Sequence, residues 1–240
     1  MSLPSLSIVL PCFNEEANVA EAVRNAVAAA TACSERYEII VVDDGSSDGT
    51  VRVVGGLAAS EPRLRLIVHP HNRGYGDALR SGIRAARMEW VLLADADLQF
   101  DLRDLADFVP LSGSADALWG RRILRRDTLL RRAYASAWNR LVRALFALPV
   151  RDVDCGFKLI RTSMLRRFEL QTTGAMISTE LAVQCLAQGA RIVEIGVHHR
   201  PRIAGHETGG DPRVIARAIG ELMRMHKMLR RISHGAPVTP

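Results

Sequence analysis

The chain has 240 residues, 48% of them hydrophobic, which is ample for a core and too apolar for a disordered segment. The net charge of +6 is uneven: residues 121–143 hold eight arginines against one acid, Asp127, a local +7 that leaves −1 for the rest. Aromatic residues, at 5%, give no support for stacking on nucleic-acid bases, and no stretch reaches the ~18 apolar residues of a membrane span.

The opening "MSLPSLSIVLPCFNEE" has no basic n-region and no cleavage site, so a signal peptide is not expected. "SLSIVLP" reads as a strand stopped by Pro11. In "NEEANVAEAVRNAVAAATA" Asn14 is expected to cap an alanine-rich helix. "YEIIVVDDGSSDGT" is a second buried strand breaking into a turn. A helix entered through Ser47 or Asp48 follows, weakened by two glycines. "LRLIVHP" is a third strand, "NRGYGDALRSGIRAAR" a Gly-containing loop feeding a helix, and "EWVLLADADL" a fourth strand. Strands and helices alternate, and the strands are almost continuously apolar. This predicts an α/β fold with a mostly parallel sheet covered on both faces.

In the second half, "DALWGRR" (116–122) predicts a short strand. Residues 128–147 predict a helix with Tyr134, Trp138, Leu141 and Leu145 on one face and Arg132, Ser136, Arg140 and Arg143 on the other. "DVDCGFKLI" reads as a loop and strand, "STELAVQCLAQGA" as a helix ended by Gly189, and "RIVEIGVHHRPR" as a strand. "PRVIARAIGELMRMHKMLRRI" is a last helix with Pro212 at its start, apolar residues at 3-4 spacing and six basic residues, followed by a tail. The expected organisation is one domain over residues 1–210, with nucleotide-sugar (1–110) and acceptor (111–210) halves, and a basic amphipathic helix and tail over 211–240. Cys12, Cys33, Cys155 and Cys185 lack CxxC spacing and read as reduced core thiols of a cytosolic protein. His198–His199 reads as a strand end, Gly74-X-Gly76 is not a dinucleotide fingerprint, and Trp90 and Trp119 read as core.

In open parallel sheets ligands bind beyond the carboxyl ends of the strands. Three such ends carry acids here: "PCFNEE", "VVDDGSSDGT" and "ADADLQ". Solvated loop acids and helix caps account well for Glu16 and Asp48. They account poorly for Asp44, Asp95 and Asp97 together. Asp-X-Asp after a buried strand suits Mg²⁺ or Mn²⁺, which prefer carboxylate oxygens and keep water and substrate phosphates as their other ligands.

"SIVLPCFNEEANV", "EIIVVDDGSSDGT", "NRGYGDALRSGI" and "LLADADLQF", in this order, resemble family 2 glycosyltransferases of the GT-A (Rossmann-like) fold, and among them the dolichyl- or polyprenyl-phosphate sugar transferases. The likeness covers about residues 5–210. It implies that Pro11, Phe13 and Glu15 line the nucleotide, that Asp44 contacts the base, and that Asp95 and Ala96 lie at the nucleotide. It implies a metal held by Asp95 and Asp97 with Gln99 as third ligand, and a phosphate contact at Arg121. "RDVDCGFKLI" resembles the family's Asp-X-X-Ser-Gly-Phe-Arg segment, with Asp152 at the Asp position, Cys155 in place of the hydroxyl residue and Lys158 in place of Arg. Glu180 matches an acid in the next helix. "RPRIAGHET" resembles a closing loop, through Arg202, Gly205 and Thr208.

The implied activity is metal-dependent, inverting transfer of a hexose from a UDP- or GDP-sugar to a polyprenyl phosphate, at the cytosolic face of a membrane. Two departures stand out: the C-terminal membrane helices common in the branch are absent, and so is the Glu-Asp pair that supplies a base in many family 2 enzymes. An anionic phosphate acceptor needs positioning more than deprotonation. A soluble hydroxyl acceptor would need a base, for which Asp152 and Asp154 are the candidates. The basic helices read as meeting an anionic membrane or a lipid phosphate, the alternative being that their apolar faces complete the core or a homodimer contact. A non-catalytic nucleotide-sugar or nucleic-acid binding module is a further alternative. The carboxylate cluster argues against nucleic acid, since it would repel phosphate without a metal.

Overall fold

The computed structural model describes residues 1–123, 129–201 and 220–223, and of 129–135 the backbone alone. In the first half, β1 (Leu6–Cys12), β2 (Tyr37–Asp43), β3 (Leu64–Val68) and β4 (Trp90–Leu93) alternate with α1 (Val19–Cys33), α2 (Thr50–Ala58) and α3 (Tyr75–Ala85). There follow α4 (Leu105–Phe108), β5 (Ala117–Ile123), α5 (Leu129–Phe146), β6 (Lys158–Arg161), α6 (Thr162–Leu165), α7 (Ile177–Ala187) and β7 (Ile192–His198). The strands form one sheet in the order β3-β2-β1-β4-β6-β5-β7. All pairings are parallel except those of β6, which runs antiparallel to both β4 and β5.

Successive strand residues point to opposite faces, and both faces are buried. Ile8, Leu10, Ile39, Val41, Leu92 and Leu118 pack with residues of α1, α2 and α4. Val9, Ile40, Val42, Val91, Leu93, Ala117, Trp119 and Ile160 pack with α3, α5, α6 and α7. This two-sided burial is why the strands read as unbroken apolar runs, each large side chain contributing roughly 1.5–3 kcal/mol. Trp90 and Trp119 are core residues, under the cations of Arg161 and Lys158 respectively. The four cysteines are buried free thiols. Gly189, at φ +69°, follows α7 as expected.

Two local expectations are corrected. Asn14 does not cap α1, which begins at Val19. Asn14 sits at φ +55°, and its side-chain oxygen accepts the Ser47 N–H and hydroxyl, so it is spent on tying the first loop to the second. Over residues 136–146, the part of α5 whose side chains are described, the buried residues are Asn139, Val142 and Phe146, with Trp138 partly buried, while Leu141 and Leu145 are exposed. The inward stripe is therefore rotated from the expected one. Buried Asn139 explains the error: its side-chain oxygen accepts the Val153 N–H, so a polar residue holds an inward position. The side chains of Arg132 and Tyr134, and residues 211–240 apart from the helical Gly220–Met223, lie outside the described residues.

Because β1–β5 and β7 run the same way and β6 the opposite way, one sheet edge collects the ends of six strands and the start of the seventh. Helix α3 reaches the sheet closely at Gly82, where an added Cβ would lie 2.2 Å from Val9 Cγ1. Gly55 in α2 faces open space. Gly82→Ala is expected to lower stability by about 1–3 kcal/mol through overpacking, and Gly55→Ala to raise it by about 0.5–1 kcal/mol through helix propensity. Urea titration of both variants checks the opposite signs.

Candidate active site

The first two loops at this edge are clasped to each other. The Asn14 N–H donates to Ser46 Oγ (2.8 Å), the Glu15 N–H to Thr50 Oγ1 (2.9 Å) and the Glu16 N–H to Asp48 Oδ2 (3.1 Å). In return Glu16 accepts the Gly49 N–H and pairs with Arg52. Asp48 also accepts from the Thr50 N–H and hydroxyl, so Glu16 and Asp48 are the structural acids expected. Pro11 is buried at the end of β1, Glu15 is buried and accepts from the Asn18 amide (2.7 Å), and Phe13 is exposed at the mouth.

Asp44 is buried and serves a third loop. Its Oδ1 accepts the Arg73 N–H (2.9 Å) and lies 2.7 Å from His69 Nδ1, and its Oδ2 accepts the Gly74 N–H (2.8 Å). His69 Nε2 in turn lies 2.9 Å from Ser81 Oγ. Asp44 thus fixes the backbone of residues 69–74, which leads directly into α3 and Tyr75.

Tyr75 is the first residue of α3, and its hydroxyl donates to Asp95 Oδ1 at 2.8 Å. Burial, then the charge of Asp95 and its hydrogen bond, then the charge of Asp97, push the phenol well above its ordinary value. Asp95 is thus held by one partly buried phenol, which also feels the charge of Asp97. Behind them, an added Cβ on Gly156 would lie 2.2 Å from Asp95 Oδ2, so only glycine lets the loop before β6 back this carboxylate. Between the aspartates Ala96 is buried, and Leu98 takes φ +62°. The Gln99 N–H donates to Asp97 Oδ1 (3.1 Å), and the Gln99 amide donates to the Arg200 carbonyl (3.3 Å).

The second half supplies the opposite wall. Lys158 is wholly buried. Its ammonium donates to the Cys155 carbonyl and to Ser178 Oγ (3.0 Å) and lies 5.0 Å from the Trp119 ring centre. Burial lowers its pKa, against the charges of Asp95, Asp154 and Asp152. Burial, then the Asp152 charge, pushes the Cys155 thiol up to about 12, so it is no nucleophile. Asp152 is held by both arms of Arg122, at 2.8 and 2.6 Å, and by the Arg122 N–H. Such a pair fixes geometry. Arg121 is exposed at the end of β5, its Nε 3.7 Å from Glu194. Glu180 accepts the Gln171 and Thr172 N–H groups and the Thr172 hydroxyl, and the next residue's carbonyl, that of Thr173, accepts the Gly76 N–H (2.9 Å). His198 bonds Asp104, a strand-end role. Arg202, Gly205 and Thr208 lie outside the described residues.

The neighbouring ends of β1, β2 and β4 thus bring Pro11, Phe13, Glu15, Asp44, Asp95, Ala96, Asp97 and Gln99 to one sheet edge; Arg121, with Asp152 held by Arg122, stands near the end of β5 at the same edge, and the charge of Asp154 acts on Lys158. Sequence reading missed Tyr75, Gly156, His69 and Arg122. Gly156 had a signal, a glycine between Cys155 and Phe157 at a strand entry. Tyr75 had none, since its partner lies twenty residues on. Among the described residues no group of three or more His, Cys, Asp or Glu is arranged to hold a metal. Asp95 and Asp97 nevertheless fit Mg²⁺ or Mn²⁺, whose sites use one or two protein carboxylates and leave the remaining positions to phosphate and water. Bound there, the cation would neutralise a diphosphate.

Tyr75→Phe keeps the ring but removes the bond that orients Asp95. It is expected to weaken Mn²⁺ binding about tenfold, with Gly156→Ala weakening it further. Titration of the full chain with Mn²⁺, followed by electron paramagnetic resonance, reads both; unchanged affinity in Tyr75→Phe would remove the hydroxyl from the site.

A model of glycosyl transferase family 2 matches residues 7–169. The chain is 33% identical over 236 residues to a dodecaprenyl-phosphate galacturonate synthase of Rhizobium johnstonii, covering 94% of this chain and 67% of that protein. It is 30% identical over 213 residues to an undecaprenyl-phosphate 4-deoxy-4-formamido-L-arabinose transferase of Shewanella sediminis, covering 85% of this chain and 62%, less than two thirds, of that relative. Glucosyl-3-phosphoglycerate synthase from Mycobacterium tuberculosis, solved with Mn²⁺, UDP and phosphoglyceric acid, superposes with a TM-score of 0.74 at 18% identity, over 98% of this chain and 80% of that one. A mannosyltransferase from Pyrobaculum calidifontis, solved with GDP-Man and Mn²⁺, superposes with a TM-score of 0.64 at 20% identity, over 93% and 65%. These two likenesses establish the fold, the expected GT-A-type α/β architecture. With the family model covering more than half its length, the chain belongs to glycosyl transferase family 2.

Proposed function

We propose that this family 2 glycosyltransferase moves a hexose from a UDP- or GDP-sugar to a polyprenyl phosphate, with inversion at the anomeric carbon. The observation that carries the reading is the sequence likeness over most of the chain to two polyprenyl-phosphate sugar transferases. The nucleoside lies against Pro11, Phe13 and Glu15, beside the loop that Asp44 holds. The diphosphate lies at Asp95 and Asp97, where a bound Mg²⁺ or Mn²⁺ would offset the charge of the departing nucleoside diphosphate.

An oxygen of the acceptor phosphate attacks the anomeric carbon on the side away from the diphosphate. The new carbon–oxygen bond forms as the bond to the diphosphate breaks, and the leaving group takes the electron pair. The acceptor oxygen is already anionic, so no group need remove a proton. The Asp152–Arg122 pairing supports this, since Asp152 is committed to holding a strand end. Arg121, exposed at the same edge, is assigned to the acceptor phosphate, with Arg202 as its partner.

The enzyme works peripherally at the cytosolic membrane face in this reading. Exposed Leu141 and Leu145 beside exposed Arg140 on α5 support it, as an apolar and basic surface suited to anionic lipid. No helix among the described residues is long and apolar enough to cross a membrane. Asp97→Ala is expected to lower transfer to a short polyprenyl phosphate, with Mn²⁺ and donor present, by at least about 100-fold. Transfer at the wild-type rate would overturn the assignment.

A further inference from the structure

A second basic site lies away from the sheet edge. Arg80, Ile83 and Arg84 of α3, Leu165 and Arg166 at the end of α6, and Phe168 and Leu170 line a pocket of about 250 Å³. Three arginines thus line it together with three aliphatic side chains and a phenyl ring. Among the described residues no acidic side chain lines the pocket, although Asp77 pairs with Arg80 beside it.

The arginines are not used up by neighbours. Arg80 donates to the Leu170 carbonyl at 2.8 Å and pairs with Asp77, but its buried Nε meets no acceptor. Arg84 and Arg166 are exposed and form no ion pair among the described residues. Arg80 titrates below its ordinary value, through burial first and the Arg84 charge second, against the charge of Glu180, and Arg84 follows it by one helical turn on α3. Like charges converging on an apolar pocket are unfavourable unless an anion joins them.

The pocket is separate from the transfer site. Tyr75 touches Asp95 at the start of α3, and Arg84 is in its last turn. At 1.5 Å per residue that separates them by about 13 Å along the helix. The volume falls below that of a site for a whole drug-sized ligand, roughly 300–1,000 Å³. It suits a phosphate with a few methylenes. Arginine's planar fork matches phosphate oxygens, and the phenyl and aliphatic side chains match a hydrocarbon stem.

We propose that this pocket is a second anion site, taking a phosphate ester whose hydrocarbon portion lies on Ile83, Leu165, Phe168 and Leu170. The ester is either a lipid headgroup or a free phosphorylated compound, and the experiment separates the two. Hexyl phosphate and inorganic phosphate are titrated calorimetrically into the full chain carrying Arg121→Ala, which weakens the phosphate contact assigned at the transfer site. Hexyl phosphate is expected to bind more tightly than inorganic phosphate. Adding Arg84→Ala with Arg166→Ala should weaken it by about tenfold. Removing the same charge outside the pocket, with Arg87→Ala and Arg167→Ala, should leave affinity unchanged.

No weakening by the pocket pair, equal weakening by the outer pair, or equal affinity for inorganic phosphate would each overturn the proposal. Flotation with phosphatidylglycerol vesicles, in a background carrying Leu141→Ser and Leu145→Ser so that the α5 surface does not itself hold the protein on the vesicle, identifies the source. Flotation lost only in the pocket pair assigns the site to a lipid headgroup. Flotation retained, with hexyl phosphate weakened, assigns it to a free phosphate ester.

Discussion

A lysine without exposed surface joins the two halves of the molecule. Lys158 pairs with Leu93 across one ladder and with Trp119 across the other, so it stands in the row where β4, β6 and β5 meet. A buried ammonium is costly unless its protons find acceptors. Here the Cys155 carbonyl and Ser178 take two of them, and the Trp119 face receives the charge. Satisfying that cation fixes the turn from Cys155 to Phe157, and the turn sets Gly156 against Asp95. The position of one carboxylate therefore depends on how a distant segment solves its own desolvation problem.

The same logic recurs around the edge. Asp44, Asp152 and Glu180 are buried acids whose oxygens are taken by backbone N–H groups, and each holds one loop. Asp95 differs, since it accepts from the side-chain hydroxyl of Tyr75 and lies only partly buried. The acids that organise loops are buried, whereas Asp95 and Asp97 keep part of their surface open at the sheet edge. Rigid loops around a pair of carboxylates supply the fixed geometry that charge stabilisation in a reaction requires.

Much of this was legible in the chain. Buried strands show as apolar runs because both faces are covered, and the acids after "LLA" stand out against such a run. What was illegible depends on contacts between segments far apart in sequence. Asn14 has the composition of a helix cap, yet its amide serves the Ser47 turn, and no local pattern announces that. The α5 face was misphased because Asn139 faces inward to meet Val153. Tyr75 opens α3 between Gly74 and Gly76, with nothing nearby in the sequence to mark its hydroxyl as the partner of Asp95. Local propensity is visible in a sequence, whereas hydrogen bonds across loops are decided by topology.

The antiparallel insertion of β6 has a consequence for the order of assembly. The first four strands need only their own connections to pair, so this part of the sheet can close while the rest of the chain is still being made. Its outer strand, β4, then waits with one row of backbone groups unmatched, because the segment that covers it arrives only after α5. During that interval "WVLL" is an apolar edge open to any other extended chain. The strand that carries the Asp-X-Asp pair at its end is thus also a point at which the growing protein is exposed to mispairing.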